Sequence, residues 1–454
     1  MSATHSSNVK HTLHCNESYG TSNLKNSWKI VTDETNKVSF IANLNDDKSG
    51  NTSKVVEKIK IFFYQAFLPQ GFPDTVSNDY IEYQLWDTAQ AFCSTLTAVL
   101  TTHAIMQGVG VGNESATTLA AATAWIIKDG TGMIGRILFA WWEGTILDAD
   151  CKRWRILADL INDVAMCVEL MLPLFPQSCV IYALALSSLG KSLVGVAGGA
   201  TRASIIQHQA AHSGNIGDIA AKDGSQETCV NLTASLLGLV VLKLCTENIF
   251  LTWLLFIIFT GLHIYFNYRA VRCLEFNTFN RQRFIILFQH YLHSKHILSP
   301  SQVRVQERIL FPLTEKQAFN MNITLGASVL NVQPQSSVCV NKYRQWFILC
   351  KKSKPSNAVS VLLNINADVK ATLKAYCYAV FHDVKKNVSP SLSLFQKEIK
   401  YENDEEEFKQ TYFEEFYNKL IGSQQWDLSY LNHFQIDEWR YHDASVTVEK
   451  QKMN

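Results

Sequence analysis

The sequence predicts a mainly α-helical protein: a multi-helix membrane-embedded bundle followed by a small α+β C-terminal domain. Two observations favour this fold class. Long and nearly uncharged apolar stretches fill the region between Leu85 and Phe266, whereas both ends of the chain are polar. After Ser299, short β-prone runs precede a helical stripe, which is the order of a small α+β domain.

The composition divides the 454 residues into three predicted parts. Residues 1–54 are rich in Ser, Thr, Asn, Asp and Lys without a sustained apolar period, so we expect a disordered polar segment. We expect residues 55–285 to form a helical membrane-embedded domain and residues 286–454 to form a soluble α+β domain. The formal net charge of +1 supplies no basic field, so no nucleic-acid partner is expected.

The first helical pattern begins at Val55. Apolar residues recur from there at helical spacing until the break at residues 68–73, which contains two prolines and a glycine. This pattern predicts an amphipathic helix that approaches the membrane region. A helix of a soluble core is the alternative.

The clearest candidate for a membrane span is residues 249–266, which contain no formal charge and approach the ~20 residues needed to cross a hydrocarbon core. Arginines at positions 269, 272, 281 and 283 follow, so the positive-inside bias places this end in the cytoplasm. Earlier apolar segments rich in small residues are 91–106, 116–127, 133–147, 163–189 and 230–242. A soluble protein with an unusually buried helical core would show the same pattern, and the number of spans stays open.

The C-terminal region has the pattern of an α+β domain. β-prone runs at 337–340, 346–350 and 359–363 precede a helical stripe at 368–381. The acidic run 402–407 indicates a solvated helix start or loop. It is followed by an aromatic stripe of Phe408, Tyr412, Phe413 and Phe416, which fits either a partner contact or core packing.

Motifs for metal, nucleotide or catalytic chemistry are weak. Gly190-Lys191-Ser192 resembles the end of a phosphate-binding loop, but Ala185 stands where that motif needs a glycine. His208 and His212 lie one helical turn apart without a carboxylate or cysteine set at ligand spacing. We therefore predict no cofactor, no metal and no enzyme; a soluble enzyme is the third and least favoured hypothesis.

Small residues predict close contact between helices. Gly195, Gly199 and Ala203 recur every four residues in a helix that is otherwise rich in small side chains. Such a ridge lets a neighbouring backbone approach, so we expect these three residues to pack against another helix.

Charged residues inside the apolar region predict a polar cavity. Lys128-Asp129-Gly130-Thr131 recurs approximately as Lys222-Asp223-Gly224-Ser225, each at the edge of a small-residue stretch, as in transporters built from repeats. Charges at membrane depth usually face a bundle interior. The candidate cavity residues are Lys128, Asp129, Arg136, Asp159, Arg202, Asp218, Lys222 and Asp223. Structural ion pairs or loop charges are the alternative.

Several motifs between about residues 60 and 245 resemble the root UVB sensitive family. They are Phe67-Leu-Pro-Gln-Gly-Phe-Pro-Asp-Thr-Val-Ser77, Trp125-Ile-Ile-Lys-Asp-Gly-Thr-Gly-Met-Ile-Gly-Arg-Ile-Leu-Phe139, Lys152-Arg-Trp-Arg-Ile-Leu-Ala-Asp159, Gly198-Gly-Ala-Thr-Arg202 and Asn215-Ile-Gly-Asp-Ile-Ala-Ala-Lys-Asp-Gly-Ser-Gln-Glu227. The resemblance implies a link to vitamin B6 homeostasis and ultraviolet-B responses, as in plant members. Animal members of the family are described as membrane proteins without a settled reaction.

The expected location is an endomembrane, the endoplasmic reticulum, with the C-terminal domain in the cytosol. The N-terminal segment has acidic residues and no arginine in its first 50 positions, so it does not resemble a plastid transit peptide. In this respect the chain is similar to the animal members rather than the plastid type.

Two functional hypotheses follow. The first is a transporter-like protein or membrane factor whose polar interior binds an anionic or zwitterionic small molecule, a B6-related one by the resemblance. The second is a membrane-anchored adaptor whose C-terminal domain recruits a protein partner, such as a family paralogue, through Trp426, Trp439 and Tyr441, for which core packing is the alternative. Membrane lipid and a second copy of the chain are further expected partners.

Overall fold

A computed structural model of the chain describes residues 9–18, 25–33, 38–42, 51–109, 118–143, 147–245, 248–331, 337–339, 345–351, 358–383, 405–429, 431 and 434–442. The chain divides into two units. Unit 1 contains Met1–Leu100 and Ile205–His263, and unit 2 contains Thr101–Ser204 and Ile264–Asn454.

Three antiparallel strands occupy part of the N-terminal segment of unit 1. They are β1 (Val9–Ser18), β2 (Lys25–Asp33) and β3 (Val38–Ala42), in the order β1-β2-β3. Ile30 of the central strand pairs with Leu13 on one side and with Phe40 on the other. Cross-strand apolar pairs of this kind stabilise a sheet. The structure thus describes strands within the segment 1–54 that the composition predicts to be disordered.

The helical part of unit 1 follows the apolar segments of the sequence. Its helices, some of which continue into unit 2, are α1 (Asn51–Phe67), α2 (Tyr80–Gly108), α6 (Ile216–Cys245) and α7 (Ile249–Cys273). Helix α1 confirms the pattern predicted from Val55, and it ends just before Pro69, which cannot continue a helix. Gly71 in the turn that follows has a φ of +77°, a left-handed conformation that glycine adopts without strain.

The first helices of unit 2 differ from the predicted segments in two places. They are α3 (Thr118–Glu143), α4 (Cys151–Leu170) and α5 (Gln177–Gln209). The predicted segments 116–127 and 133–147 are joined in α3. The predicted segment 163–189 is instead split, because Pro173 and Pro176 interrupt the helical hydrogen bonds between α4 and α5.

Helices α3 and α5 pack through glycines that differ from the predicted ridge. A Cβ atom on Gly135 would collide with the side chains of Ser192 and Leu189, so glycine allows the two helices to approach without a shift of these side chains. At Gly195 the nearest atom to such a Cβ is Arg136 Nε at 3.9 Å, and at Gly199 none of the described atoms lies within 4 Å. Both Gly199 and Ala203 are exposed. The described contact between α3 and α5 is thus made at Gly135, and packing of another helix against Gly195, Gly199 and Ala203 stays a prediction.

The C-terminal part of unit 2 is the predicted α+β fold. Its strands are β4 (Asn322–Leu325), β5 (Ser337–Cys339), β6 (Phe347–Lys351), β7 (Ala358–Asn364) and β8 (Arg440–Tyr441). The sheet has the order β4-β7-β6-β5, with β8 also beside β7; β4 and β8 are parallel to β7. The three predicted strand runs and the predicted helix at 368–381 are confirmed.

Helices cover this sheet and supply an aromatic core. They are α8 (Arg281–Ser294), α9 (Pro300–Gln306), α10 (Glu315–Phe319), α11 (Val369–Asp383) and α12 (Glu405–Ser423). Phe284 and Phe288 of α8 contact Phe416 of α12, with ring centroids 6.0 and 5.2 Å apart. The aromatic stripe is thus packed in the core, and Trp426 is buried as well. The boundary predicted after residue 285 falls inside α8.

A buried ion triad joins α4, α8 and the end of α9. Lys152 Nζ and Arg283 Nε both donate to the carboxylate of Glu307, the latter over 2.7 Å. Lys152 also donates to the carbonyl oxygen of Leu274 over 2.7 Å, and the Arg283 guanidinium lies 4.6 Å from the Phe276 ring centroid. Burial opposes the charge of Glu307, but Arg283 and Lys152 outweigh it and lower the pKa of this carboxyl.

We expect Glu307→Gln to destabilise unit 2 by about 3–5 kcal/mol, because it leaves two buried cations without their shared anion. The free energy of unfolding of the full-length chain would measure this. Glu275→Gln is the matched control: its carboxylate pairs with Arg304 at 3.4 Å in a more exposed position, so the loss should stay below about 1 kcal/mol. Equal losses in both variants would contradict a special role for the triad.

The two variants should also differ in how their free energy of unfolding depends on pH. Because the pKa of Glu307 is lowered in the folded chain, its stabilisation is complete above the ordinary carboxyl pKa and is lost as the pH falls through the folded value. In Glu307→Gln, the free energy of unfolding should therefore fall less steeply as the pH is lowered. In Glu275→Gln, it should fall as steeply as in the wild-type protein.

Candidate functional site

The segment between α1 and α2, residues 68–79, is here called the proline turn. Two prolines prevent helix formation in it, and the Thr75 hydroxyl donates to the Gln70 carbonyl oxygen over 2.8 Å. Its position is fixed by side chains from α6 and from the end of α5. The candidate site is built where these elements of unit 1 meet.

One face of α6 holds the end of α1 and the start of the proline turn. Asp218 Oδ2 accepts a hydrogen bond of 2.7 Å from the backbone N–H of Gln70. Lys222, one turn later and 3.9 Å from Asp218, donates to the carbonyl oxygen of Gln65. The last carbonyls of a helix have no partner within that helix, so this contact satisfies one of them. Two predicted cavity residues thus bind backbone groups.

Gln226 continues this face by another turn. Its side-chain amide donates to the Phe67 carbonyl oxygen and also approaches the Tyr80 hydroxyl at 3.4 Å. Burial raises the pKa of Tyr80 to about 12, so its hydroxyl stays protonated at physiological pH. Two of the family-like motifs, 67–77 and 215–227, meet at these contacts.

The end of the proline turn carries a buried carboxylate. Asp79 Oδ2 lies 2.9 Å from His208 Nε2, and the Ser77 hydroxyl donates to the other oxygen of Asp79. The backbone N–H of Ser77 donates to the Gln209 carbonyl oxygen over 3.2 Å. His208 is therefore tied to a carboxylate of the same unit, whereas His212, considered with it as a metal ligand, is exposed.

Gln209 is the least expected residue of this site. Its side chain is 0% exposed, yet neither atom of its carboxamide has a hydrogen-bond partner among the described residues. A buried polar group without a partner costs about 1–3 kcal/mol, so such a group needs an explanation. It is suited to hydrogen-bond a water molecule or a ligand at the end of α5.

Asp223 lies on another face of α6 and contacts α2. Its Oδ1 atom accepts a hydrogen bond of 3.2 Å from the side chain of Gln84. Further along the same two helices, Thr95 donates to Asn231 over 2.8 Å. The partners are 139 and 136 residues apart in the two contacts, so α2 and α6 run parallel. Hydrogen bonds therefore link α2 and α6 at two levels.

The other predicted cavity residues belong to unit 2. Lys128 and Asp129 pair with each other at 3.6 Å in the middle of α3, and Asp129 is exposed. Arg136 is exposed seven residues later, on the same side of the helix. Asp159 accepts a hydrogen bond from Asn267 of α7, and Arg202 is half-buried on α5. The four-residue motif that recurs in the sequence thus has different surroundings in its two copies.

Sequence reasoning identified part of this site and missed the rest. Asp218, Lys222 and Asp223 were recognisable because charges are rare in an apolar segment. Asp79 and Gln209 lie beside polar residues, so no contrast marks them. Their proximity depends on how the proline turn folds back onto α5, which spacing in sequence does not reveal.

Comparison with known proteins gives two family matches. Residues 53–295 match the model described as the vitamin B6 photo-protection and homoeostasis domain, and residues 296–443 match the root UVB sensitive protein C-terminal model. No solved structure matches the chain. The proline turn and all eight predicted cavity residues lie within the first match.

Named relatives agree with these matches. RUS family member 1 of Dictyostelium discoideum is 43% identical over 288 residues, which cover 62% of this chain and 54% of that protein. Protein root UVB sensitive 3 of Arabidopsis thaliana is 36% identical over 369 residues, 78% of this chain and 81% of that protein. Protein root UVB sensitive 5 of the same plant is 32% identical over 272 residues, 55% of this chain and 51% of that protein. The chain therefore belongs to the root UVB sensitive family.

Proposed function

We propose that this chain is a multi-pass membrane protein that serves vitamin B6 homeostasis as a transporter-like protein or membrane factor. The observation that carries the proposal is the surface of α5, α6 and α7. These helices are long and apolar enough to cross a membrane, and only 28%, 17% and 11% of their most apolar stretches are buried. In water, such surfaces would leave large apolar patches exposed.

The exposed side chains have the character of a lipid-facing surface. Ile257 of α7 is 64% exposed, and Leu236, Leu239 and Phe250 are also exposed. An α-helix satisfies its own backbone hydrogen bonds, so lipid can cover these side chains without leaving polar groups unpaired. Helix α3 also exposes apolar side chains, among them Trp141.

The orientation follows from the charges at the end of α7. Arg272 lies in its last turn and Arg269 just before it, and by the positive-inside bias this end faces the cytosol. The C-terminal fold that follows is then cytosolic. We propose the endoplasmic reticulum as the membrane.

We expect the full-length protein to remain in the membrane pellet after carbonate extraction, with a C-terminal epitope open to protease without detergent. Ile257→Lys should lower the carbonate-resistant fraction, because a lysine within a membrane helix costs about 2.5–3.5 kcal/mol. Leu330→Lys is the control, since Leu330 is 90% exposed in the C-terminal fold and the change should have no effect. Release of the wild-type protein into the supernatant would overturn membrane insertion.

The proposed ligand route is the polar interior of unit 1. Asp79 with His208, and Asp223 with Gln84, are polar pairs among apolar helices. Ionisable groups in such surroundings usually mark a ligand or ion pathway. The pairs provide both acidic and basic groups, which suit a zwitterionic or anionic small molecule, and the family points to a B6-related compound.

We expect proteoliposomes with the wild-type protein to take up one of the B6 vitamers, and Asp223→Asn or His208→Gln to reduce the initial rate at least tenfold. Each change removes a charge or a ring nitrogen while keeping a similar shape. Asp74→Asn is the matched control, because Asp74 is an exposed carboxylate of the same proline turn. If the wild-type protein transports none of the vitamers, the proposed substrate is wrong. If both site variants transport at the wild-type rate, the proposed role of Asp223 and His208 is wrong.

An adaptor role is the second candidate, and one surface favours it. Trp439 is 60% exposed, and Trp346 and Ile365 are exposed close to the end of β7. Ile365 is hydrogen-bonded to Tyr441, and Trp346 to Asn364, so they lie at the same end of the sheet. Exposed aromatic residues are frequent anchors of protein interfaces.

If the adaptor role holds, Trp439→Ala should remove at least one partner, such as a family paralogue, from affinity purifications of the full-length protein. Phe311→Ala is the control, because Phe311 is an exposed aromatic residue outside this patch. An unchanged partner set in the Trp439 variant would defeat the adaptor role.

A further inference from the structure

A separate polar cleft lies in unit 2 at the start of α4, and we call it the basic cleft. It has an empty volume of about 260 Å³, counted with the open space at its mouth. Its walls come from α4, α8 and the segment after α9. The charged side chains that line it are Asp150, Lys152, Arg153, Arg283, Glu307 and Arg308.

The basic cleft has an excess of positive charge. Four of its charged side chains are cationic and two are acidic, which leaves a net charge of +2. The buried triad accounts for Glu307, which is shared by Lys152 and Arg283. These three side chains hold each other in place, so they form a fixed wall with one surplus positive charge.

The other two arginines keep part of their hydrogen-bonding capacity open. The buried Nε atom of Arg153 has no hydrogen-bond partner within the part of the chain that the structure describes. Arg308 is exposed, and its guanidinium forms no ion pair with a described residue. A guanidinium presents several donors in one plane, which suits the oxygens of a phosphate or carboxylate.

Asp150 leaves the first turn of α4 open. It occupies the N-cap position of α4, but its side chain does not cap the helix and instead accepts a hydrogen bond of 3.0 Å from Gln435. The free N–H groups of the first turn of α4 then add to the positive field of the cleft. Burial raises the pKa of Asp150, and the hydrogen bond from Gln435 and the charge of Arg153 oppose this rise.

We propose that the basic cleft binds a phosphate monoester. Such a group carries a charge of about −1.5 to −2 at neutral pH and three strong acceptor oxygens, which match the surplus charge and the two arginines. A phosphate diester carries only one negative charge, so it matches the surplus positive charge of the cleft less well.

The cleft adjoins the end of α7, which suggests two sources for the phosphate. Lys152 and Arg304 donate to the carbonyl oxygens of Leu274 and Cys273, at the point where α7 ends. A phospholipid headgroup would reach this position if α7 spans the membrane, so this source rests on the proposed function. A phosphorylated B6 vitamer is the soluble source and needs no membrane.

Calorimetric titration of the detergent-solubilised full-length protein separates these cases. The probes are dioctanoyl phosphatidic acid, a monoester; dioctanoyl phosphatidylglycerol, a diester; and pyridoxine 5′-phosphate, a soluble monoester without an aldehyde that would react with lysines. Arg153→Gln and Arg308→Gln remove one guanidinium each. Arg272→Gln is the control, because it removes the same charge from an exposed arginine of α7 that does not line the cleft.

We expect at least one monoester to bind at least tenfold more tightly than the diester, with each cleft variant weakening it tenfold or more and the control leaving it unchanged. Binding of phosphatidic acid alone identifies a lipid source. Binding of pyridoxine 5′-phosphate alone identifies a soluble source. The basic cleft would then be a phosphate site even if the protein proves not to be inserted in a membrane. Equal binding of the diester, no binding of either monoester, or unchanged binding in folded cleft variants would overturn the proposal.

Discussion

Every buried charge in this chain needs a partner from another element, and this requirement determines how the elements are joined. Leaving a charge buried and unpaired costs several kcal/mol, which is a large share of a domain's net stability. Glu307 meets this requirement through Lys152 and Arg283, and Asp79 does so through His208. Polar contacts thus specify which helices meet, while apolar surface supplies the general tendency to pack.

The apolar pattern made most of the fold predictable. Helix α7 and strands β6 and β7 follow directly from local hydrophobicity and β-propensity, which act over a few residues. The strands at the N-terminus escaped notice because their apolar residues are sparse and gain support only from pairing, as Ile30 does with Leu13 and Phe40. Likewise, the sequence suggested two separate segments, 116–127 and 133–147, whereas α3 is a single helix that contacts α5 at Gly135.

The site was predictable to a smaller extent. The sequence shows where a charged residue is unusual, but it does not show which residue pairs with it. Asp218 and Lys222 were expected to line a cavity, and the structure shows them holding the backbone around the proline turn. Their neighbour Asp223 faces α2 instead. Adjacent residues on one helix can therefore have unrelated roles, one structural and one open to ligand chemistry.

Helix α8 has a consequence for how the chain can be divided. It lies within the first family match, residues 53–295, yet Phe284 and Phe288 belong to the aromatic core of the second. A cut at the family boundary would strip this core of a central helix and expose its aromatic rings to water. The two family matches therefore mark sequence ancestry rather than separable folding units, and an autonomous C-terminal fragment has to begin upstream of Arg281.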